Sequence, residues 1–227
     1  GGESTRPGHE TVREEEEIGR LVPVIRRLSR ETSAPISVDS YKAAVVRAAL
    51  EAGANVVNDI WGLQHDPALA TLAAEYGTPI VLMHNRRAPA TRTELGGHVR
   101  AVEYHDLMGE VVDGLRRSVE AAIQHGVKPE NVIVDPGIGF GKTPAQNIVV
   151  MRRQRELRSI GYPVLMGTSR KSFIGLTLGL PPDDRVEGTG ATVALSICNG
   201  ADIVRVHDVK EMVRIARMTD AMVRPAP

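Results

Sequence analysis

Short apolar runs alternate with longer amphipathic segments along most of the chain. A run that is apolar at consecutive positions, such as residues 162–166, is typical of a strand buried on both faces of a parallel sheet. Strands are predicted at about 35–39, 55–60, 79–84, 131–135, 162–166 and 203–207. Helices, with apolar residues three or four positions apart, are predicted at about 12–29, 43–52, 67–76, 103–125, 144–159, 190–198 and 210–222.

Strands that alternate with helices predict βαβ units, and therefore an α/β fold with a parallel sheet. Gly53, Gly77 and Gly126 follow predicted helices, where glycine adopts the left-handed conformation that ends a helix. No linker divides residues 1–227, so we expect one domain. Six strands are enough for an open doubly wound sheet, whereas an eight-stranded barrel places about two strands and one helix upstream of Gly1.

Composition narrows the range of partners. The 28 Lys and Arg residues balance the 28 Asp and Glu residues, so no net charge favours nucleic acid or an anionic membrane. No apolar run approaches the roughly 18 residues of a membrane span, and no signal peptide is visible. The single cysteine, Cys198, excludes an internal disulfide framework and fits a reducing cytoplasm. We therefore expect a cytoplasmic protein with small-molecule partners.

Polar or ionisable residues stand at the carboxyl end of almost every predicted strand, which is where α/β folds bind ligands. They are Asp39, Asn58, Asp59, Met83 with His84, Asp135, Ser169–Lys171, Arg205 and His207. One such aspartate is often only the N-cap of the next helix. Helix capping does not require Arg, Lys or His, so the whole set favours a binding site.

The residue types indicate the ligand. Carboxylates such as Asp39 and Asp135 accept two parallel N–H bonds from the edge of an amino-pyrimidine, and Asn58 offers both a donor and an acceptor. Arg170, Arg205 and His207 suit phosphate or diphosphate. The pattern therefore predicts a pocket for a flat polar ring that carries an anionic group.

The glycine-rich segment 135–143 resembles a nucleotide-binding P-loop only superficially. That motif needs a glycine four residues before Gly-Lys-Thr, and counting back from Gly141 this position is Pro136. We interpret the segment instead as a flexible loop that presents Phe140 to a substrate ring.

Four stretches carry a resemblance to a known family. They are 1–8 (Gly-Gly-Glu-Ser-Thr-Arg-Pro-Gly), 135–142, 169–175 (Ser-Arg-Lys-Ser-Phe-Ile-Gly) and 205–208 (Arg-Val-His-Asp). In these the chain resembles the bacterial dihydropteroate synthases, folate-biosynthesis enzymes with a (β/α)8 TIM barrel, from Gly1 to about Met222. The resemblance implies that 6-hydroxymethyl-7,8-dihydropterin diphosphate condenses with p-aminobenzoate, giving dihydropteroate and diphosphate.

The resemblance also implies site residues. Pterin binding is expected at Asp39, Asn58, Asp135 and Lys171. Diphosphate binding is expected at Thr5, Arg205 and His207. The p-aminobenzoate pocket, where sulfonamides compete, is expected at Thr5, Arg6, Phe140 and Ser172. It further implies a homodimer formed through late helices, and Mg²⁺ held by an Asn on an upstream strand and loop. The barrel's first strands are expected upstream of Gly1, so this ligand has no number here.

Three alternatives stay open at this point. A pterin-binding methyltransferase shares the Asp and Asn strand ends but does not require the motifs around Thr5 and Lys171. A class I aldolase would use Lys171 as a Schiff-base lysine. A non-enzymatic relative would bind pterin without condensing it. The role of Arg170 is also open, between substrate binding and bracing a neighbouring carboxylate.

Overall fold

The computed structural model describes residues 2–4, 11–86 and 102–224. Its helices are α1 (Glu14–Glu31), α2 (Ala43–Glu51), α3 (Ala68–Tyr76), α4 (Leu107–Gln124), α5 (Pro144–Arg153), α6 (Ser172–Leu178), α7 (Val186–Cys198) and α8 (Val209–Val223). Its strands are β1 (Ser37–Asp39), β2 (Val56–Asp59), β3 (Ile80–Met83), β4 (Val132–Asp135), β5 (Leu165–Met166) and β6 (Ile203–Val204).

The predicted α/β fold class is confirmed, because the paired strands are parallel and alternate with helices. Strand β1 pairs with β2, placing Ser37 opposite Val56, and β2 pairs with β3. Strand β5 pairs with β6, placing Leu165 opposite Ile203. The chain forms two compact units, residues 1–100 with 114–133 and residues 101–113 with 134–227, called here the first and second units. The prediction of one domain stays a prediction.

The first unit is built on consecutive apolar residues. Strand β3 is buried at every position, as expected for a strand covered on both faces. Val57 in β2 and Ile80 and Leu82 in β3 are fully buried. Helix α2 adds Val46 and Ala49, also without exposed surface. This core fixes the carboxyl ends of β1, β2 and β3.

The second unit has its own apolar cluster, in which α7 and α8 pack together. Val193 and Ile197 of α7 and Met212 of α8 form the centre of this cluster. Residues three and four apart in each helix supply these contacts, as amphipathic helices do. The cluster supports β5 and β6 and the loops that follow them.

Several predicted boundaries were wrong. Helix α6 was not predicted from the sequence, and α7 begins at Val186, ahead of residue 190. Helix α4 begins at Leu107. The predicted helix 144–159 ends as α-helix at Arg153 and continues as a 3₁₀ turn over Gln154–Ile160. Strand β6 is short, so Arg205 and His207 follow it. Most of the polar loop expected before α4 lies outside the described residues.

The prediction that glycine adopts the left-handed conformation after three of the helices is confirmed. Gly53, Gly77 and Gly126 have φ values of 113°, 61° and 92°, which residues with a side chain rarely adopt. Cys198 is the exposed last residue of α7. Across the described ranges, no helix is both long and apolar enough to cross a membrane.

A buried ion cluster ties the start of the chain to the first unit. The Lys42 ammonium lies 2.6 Å from Glu3 Oε2 and 2.8 Å from Glu17 Oε2, and it donates to the Val12 carbonyl at 2.6 Å. Tyr41 Oη donates to the other oxygen of Glu3 at 2.7 Å. Glu3, Glu17 and Lys42 are each less than a tenth exposed. Buried carboxylates need such a cation, since desolvation is costly.

We predict that Lys42→Met destabilises the protein strongly. The substitution keeps the length of the side chain but leaves Glu3 and Glu17 buried without their cation. Loss of one partner from a buried ionic group costs about 3–5 kcal/mol in free energy of unfolding. Equilibrium urea denaturation at neutral pH measures this loss.

The matched control is Arg47→Met. Arg47 pairs with Glu75 at 3.3 Å, but both side chains are half exposed. Its loss should be below about 1 kcal/mol, because water screens exposed pairs. Equal effects of the two substitutions would contradict the structural role given to Lys42.

Candidate active site

In the first unit, the ends of β1 and β2 bring two predicted ligands side by side. Asp39 is the register partner of Asn58, so their side chains project from the same face of the sheet. Asn58 is 5% exposed and Asp39 is half-buried. The pair therefore presents a carboxylate and an amide at one strand end, as the sequence predicted.

Asp59, the next residue, points to the opposite face and organises the turn after β2. Its Oδ1 accepts a hydrogen bond from the Trp61 amide at 2.8 Å, and its Oδ2 accepts one from the Leu63 amide at 2.6 Å. Leu63 has φ 68°, an unfavourable value for leucine. Both Asp59 oxygens thus hold the turn, and this predicted strand-end residue has a structural explanation.

The remaining first-unit candidates are placed less directly. Met83 and His84 are buried, and His84 lies against Gly114, where an added Cβ would stand 2.7 Å from His84 Cδ2. Thr5 and Arg6 lie outside the described residues. Glu3, from the same motif, is anchored by Lys42 and accepts a hydrogen bond from the Val12 amide at 2.9 Å.

In the second unit, the central group is the Asp135 carboxylate at the end of β4. It is 3% exposed, and its Oδ1 accepts a hydrogen bond from the Gly137 amide at 2.7 Å. Burial raises the pKa of Asp135, while that hydrogen bond and the charges of Arg205 and Lys171 act to lower it. The structure thus combines a desolvated carboxylate with cations from later loops.

The Arg205 guanidinium and the Asp135 carboxylate both lie next to Gly167. A Cβ added at Gly167 would lie 3.6 Å from Arg205 Nε and Nη2 and 3.9 Å from Asp135 Oδ2. Arg205 is exposed, and its amide donates to the Met166 carbonyl at 3.0 Å. The residue after β6 is therefore fixed by its backbone to the end of β5.

Lys171 lies over an aromatic ring. Its Nζ is 4.4 Å from the centre of the Phe140 ring, a cation–π geometry in which the ring face attracts an ammonium group. Its side chain also passes close to Gly139, where an added Cβ would be 3.1 Å from Lys171 Cδ. A Schiff-base lysine must instead react as the neutral amine. The surroundings of Lys171 therefore disfavour the aldolase alternative.

The glycine-rich loop between β4 and α5 is tied down by its own hydrogen bonds. Lys142 Nζ donates to the Gly137 and Phe140 carbonyls, both at 3.1 Å. Asn147 Oδ1 accepts from the Gly139 amide at 2.8 Å, and Asn147 Nδ2 donates to the Thr143 carbonyl at 2.9 Å. Lys142 thus serves the loop itself, which agrees with rejecting a P-loop.

The predicted role of this loop, to present Phe140 to a substrate ring, stays a prediction. Phe140 is only 5% exposed and packs beneath Lys171. The loop takes its shape from Gly137, Gly139 and Gly141, whose φ values are 69°, 79° and 59°. Ser172 is exposed at the first turn of α6.

Two neighbouring pairs join the loop after β5 to the loop after β6. Ser169 Oγ lies 2.9 Å from His207 Nδ1 and accepts a hydrogen bond from the His207 amide at 3.1 Å. Desolvation and the charge of Arg170 lower the pKa of His207, while the charge of Asp208 acts to raise it.

The second pair joins Arg170 to Asp208. Its Nε and Nη2 donate to the two oxygens of Asp208 at 3.0 and 2.5 Å, and Nη1 contacts Asp183 at 3.2 Å. This two-point geometry is the strong form of an Arg–carboxylate contact, and it lowers the pKa of Asp208. Arg170 braces a neighbouring carboxylate.

The second unit thus gathers Asp135, Lys171, Arg205 and His207 around the loops after β4, β5 and β6. A buried acceptor with adjacent cations can hold a ring rich in N–H groups and an attached anion. Among the described residues, no group of three or more His, Cys, Asp or Glu side chains is arranged to bind a metal.

Sequence reasoning missed two supporting residues. Asn147 is 2% exposed and shapes the glycine-rich loop, but an Asn within a predicted helix carries no signal of that role. Arg185 caps loop carbonyls around α6, and its place in a polar stretch gave no reason to single it out. The only available signal was Gly175, in the motif that carries the resemblance.

We predict that Asp59 makes stability depend on pH. Burial raises its pKa to about 6 in the folded protein, against about 3.9 in an unfolded chain. Between these values the folded state binds more protons, so the free energy of unfolding falls as pH rises. The fall amounts to about 3 kcal/mol between roughly pH 4 and pH 7.

Urea denaturation at both pH values measures this effect. The side chain of Asp59→Asn cannot ionise. The free energy of unfolding of this variant, measured relative to wild type, should therefore be about 3 kcal/mol more favourable at pH 7 than at pH 4. A constant loss from the turn hydrogen bond that asparagine cannot accept is expected at both. Glu130→Gln, at an exposed position, should follow wild type. An unchanged pH dependence in Asp59→Asn would show that Asp59 titrates normally.

Comparison with known proteins supports this chemistry. The sequence matches the pterin binding enzyme family over residues 1–207. The dihydropteroate synthase of Bacillus subtilis is 52% identical over 222 residues, which cover 98% of this chain and 73% of the relative. That of Clostridium beijerinckii is 49% identical over 225 residues, covering 99% and 79%.

The chain is also similar to solved structures of dihydropteroate synthases. Dihydropteroate synthase from Clostridium difficile, in the presence of pteroic acid, matches with a TM-score of 0.91 and 47% identity, covering 99% of this chain and 81% of that one. The Xanthomonas albilineans enzyme with 4-aminobenzoic acid has a TM-score of 0.90 and 38% identity, covering 100% of this chain and 78% of that one. The Yersinia pestis enzyme with a sulfonamide drug has a TM-score of 0.88 and 37% identity, covering 97% of this chain and 78% of that one.

These structures are TIM-barrel proteins, and the likeness extends over almost the whole chain, which confirms the predicted fold class. Of the predicted alternatives, the open doubly wound sheet is therefore disfavoured. The sequence likeness also separates the chain from the methyltransferase alternative, because the similar proteins carry the synthase name. The chain belongs to the pterin-binding enzyme family, among the dihydropteroate synthases.

Proposed function

We propose that residues 1–227 act as one pterin-binding domain, a transferase that joins 6-hydroxymethyl-7,8-dihydropterin diphosphate to p-aminobenzoate. The products are 7,8-dihydropteroate and diphosphate. Family membership supports the reaction class. The observation that carries the proposal is the buried Asp135 carboxylate with Arg205 beside it, since this pair suits a ring and its attached anion.

The proposed pterin ligands, which follow from the family resemblance, are Asp39, Asn58, Asp135 and Lys171. Each carboxylate can accept two parallel N–H bonds from the amino-pyrimidine edge. Asn58 can donate and accept, and it stands beside Asp39 in the register of β1 and β2. Lys171 would donate to the carbonyl and nitrogen edge of the ring.

The proposed diphosphate ligands are Thr5, Arg205 and His207. Arg205 brings a planar set of donors that matches phosphate oxygens. The His207 ring can donate an N–H bond to a phosphate oxygen. Negative charge grows on the diphosphate as it departs, and donors already fixed in place stabilise that charge. The Arg205 amide and the Ser169–His207 contact provide such fixing.

The reaction then follows from charge. The bond between the pterin methylene carbon and the diphosphate oxygen breaks, and both electrons leave with diphosphate. The remaining carbon is cationic and is delocalised into the ring, near the carboxylates of Asp39 and Asp135. The neutral aromatic amine attacks this carbon and afterwards loses a proton. No general base is assigned, because the amine is already unprotonated at pH 7.

The proposed p-aminobenzoate pocket comprises Thr5, Arg6, Phe140 and Ser172, and sulfonamides would compete there. Ser172 supports this assignment because it is exposed at the start of α6, directly after Lys171. Phe140 has a second role as the base on which the Lys171 ammonium rests. Substitution of Phe140 should therefore disturb both substrates.

Mg²⁺ is the cofactor implied by the resemblance. Mg²⁺ sites often use only one or two protein ligands together with substrate phosphate oxygens. The part of the chain that the structure describes contains no three-residue cluster suited to a metal, so these residues alone do not form a complete site. We assign no catalytic step to the ion and place it with the diphosphate in this proposal.

We also propose a cytoplasmic homodimer. Helix α8 exposes large apolar side chains at Val209, Val213, Met218 and Met222. Exposed apolar surface of this kind often marks an interface with another protein, and here we assign it to a second copy of the chain. Light scattering on the purified chain should give about twice the 24.5 kDa mass. A monomer at assay concentration would exclude the dimer.

We predict that Lys171→Ala lowers turnover by about 100- to 1,000-fold, the usual cost of removing one fixed donor at a reacting centre. The assay follows diphosphate release with both substrates present, and then without p-aminobenzoate. Lys210→Ala, at an exposed position of α8, should keep wild-type turnover. Full activity of Lys171→Ala, or release that ignores p-aminobenzoate, would contradict the proposal.

We predict that Ser172→Ala raises KM for p-aminobenzoate by about 3- to 10-fold, the value of one hydrogen bond. KM for the pterin diphosphate should change less than twofold. Phe140→Leu should instead raise both KM values, because it also removes the ring beneath Lys171. Equal rises in both KM values for Ser172→Ala would remove Ser172 from the pocket.

A further inference from the structure

Arg185 makes an unusual set of contacts around α6. Its Nε and Nη2 donate to the Leu180 carbonyl at 3.1 and 2.9 Å, beyond the C-terminal end of that helix. Its Nη1 donates to the Arg170 carbonyl at 3.0 Å and lies 3.4 Å from the Lys171 carbonyl, ahead of the N-terminal end. One guanidinium thus joins the two segments that flank α6.

Gly175 provides the space for this guanidinium. A Cβ added there would stand 2.1 Å from Arg185 Nη2, 2.3 Å from Cζ and 2.5 Å from Nε. Gly175 is a buried residue within α6, where alanine is otherwise the better helix former. A Cβ at this position would therefore displace the Arg185 guanidinium from its present place.

The segment held by Arg185 is one that needs support. Arg170 has φ 55°, an unfavourable value for a residue with a side chain. Its amide donates to Thr189 Oγ1 at 3.1 Å, and its carbonyl accepts from Arg185. Thr189 is in the first turn of α7, and Arg185 is the N-cap residue immediately before that helix. The start of α7 thus fixes the Arg170 backbone from both sides.

We propose that Arg185, seated against Gly175, is a positioning residue that holds Lys171 in place for the pterin. Arg185 would not touch substrate. Its contacts fix the Arg170–Lys171 backbone, and from there the Lys171 side chain reaches the Phe140 ring. The inference rests on the proposed function, because Lys171 matters only if the pterin binds there.

A purely structural role for Arg185 predicts different kinetics. A structural arginine would lower the amount of folded enzyme and leave the kinetic constants of the folded fraction unchanged. A positioning role lowers kcat/KM for the pterin diphosphate in fully folded enzyme and leaves KM for p-aminobenzoate within twofold. The test therefore needs kinetic constants together with circular dichroism at the assay temperature.

Arg185→Gln is the first variant, since one amide cannot supply donors to both segments. We expect kcat/KM for the pterin diphosphate to fall about 10- to 100-fold, as for a misplaced catalytic group. Gly175→Ala should give a similar fall with Arg185 still present. Arg152→Gln, at an exposed position of α5, is the matched control and should equal wild type.

Two double variants test the coupling. In an Arg185→Ala background, Gly175→Ala should add less than a twofold loss, because the group it would strike is gone. In a Lys171→Ala background, Arg185→Gln should add less than about threefold, since neighbouring positions that act through one group are not additive. If Arg185→Gln does not fold, Arg185→Lys carries the same tests.

The outcomes separate the two proposals. If wild-type enzyme releases no diphosphate with both substrates present, the proposed function is refuted. Active wild type with unchanged kinetics in Arg185→Gln and Gly175→Ala would overturn the positioning role. The positioning role would also be overturned if the loss of kcat/KM in Arg185→Gln multiplied in full with the loss in Lys171→Ala.

Discussion

The second unit depends on one desolvated carboxylate. Asp135 is 3% exposed at the end of β4, where burial opposes its charge and raises its pKa. Such a group is tolerated when donors and cations surround it. The Gly137 amide supplies a donor, and Arg205 and Lys171 supply charge from the loops after β6 and β5. The same requirement makes Asp135 a suitable acceptor for a ring rich in N–H groups.

The cations are useful only if they are held in place. Backbone contacts fix Arg205 to the end of β5, and Arg170 fixes Asp208 through two hydrogen bonds. Arg185 then fixes the Arg170 backbone, and the Phe140 ring supports the Lys171 ammonium. Residues that contact no substrate in this account thus set the positions of those that do. This arrangement lowers the reorganisation needed when diphosphate leaves.

The sequence was a good guide wherever one physical rule dominated. Consecutive apolar residues marked the buried strands, so the strand ends at Asp39 and Asp135 were predicted correctly, and β2 ends at Asp59, one residue before the predicted end. Glycine after a helix likewise predicted its left-handed end, as at Gly77. The roles given to these residues came from the family resemblance, and their test lies in experiment.

The sequence was a poor guide wherever tertiary contacts decide. The seven-residue α6 was missed, because a helix that short is stabilised by packing and not by a visible period. Asp59 resembled a ligand but caps a turn, since its face in β2 depends on register. Arg185 acts through the carbonyls of Leu180 and Arg170, which lie 5 and 15 residues before it, and no local pattern indicates such contacts.

The central claim is that the Asp135 carboxylate binds the pterin ring. Calorimetric titration of pteroic acid into wild type and Asp135→Asn tests it most directly, with Asp184→Asn as an exposed control. An asparagine accepts one N–H bond where the carboxylate accepts two, so the account predicts binding about 10- to 100-fold weaker than wild type. Equal affinity in Asp135→Asn and wild type, or no binding by wild type, would contradict the account.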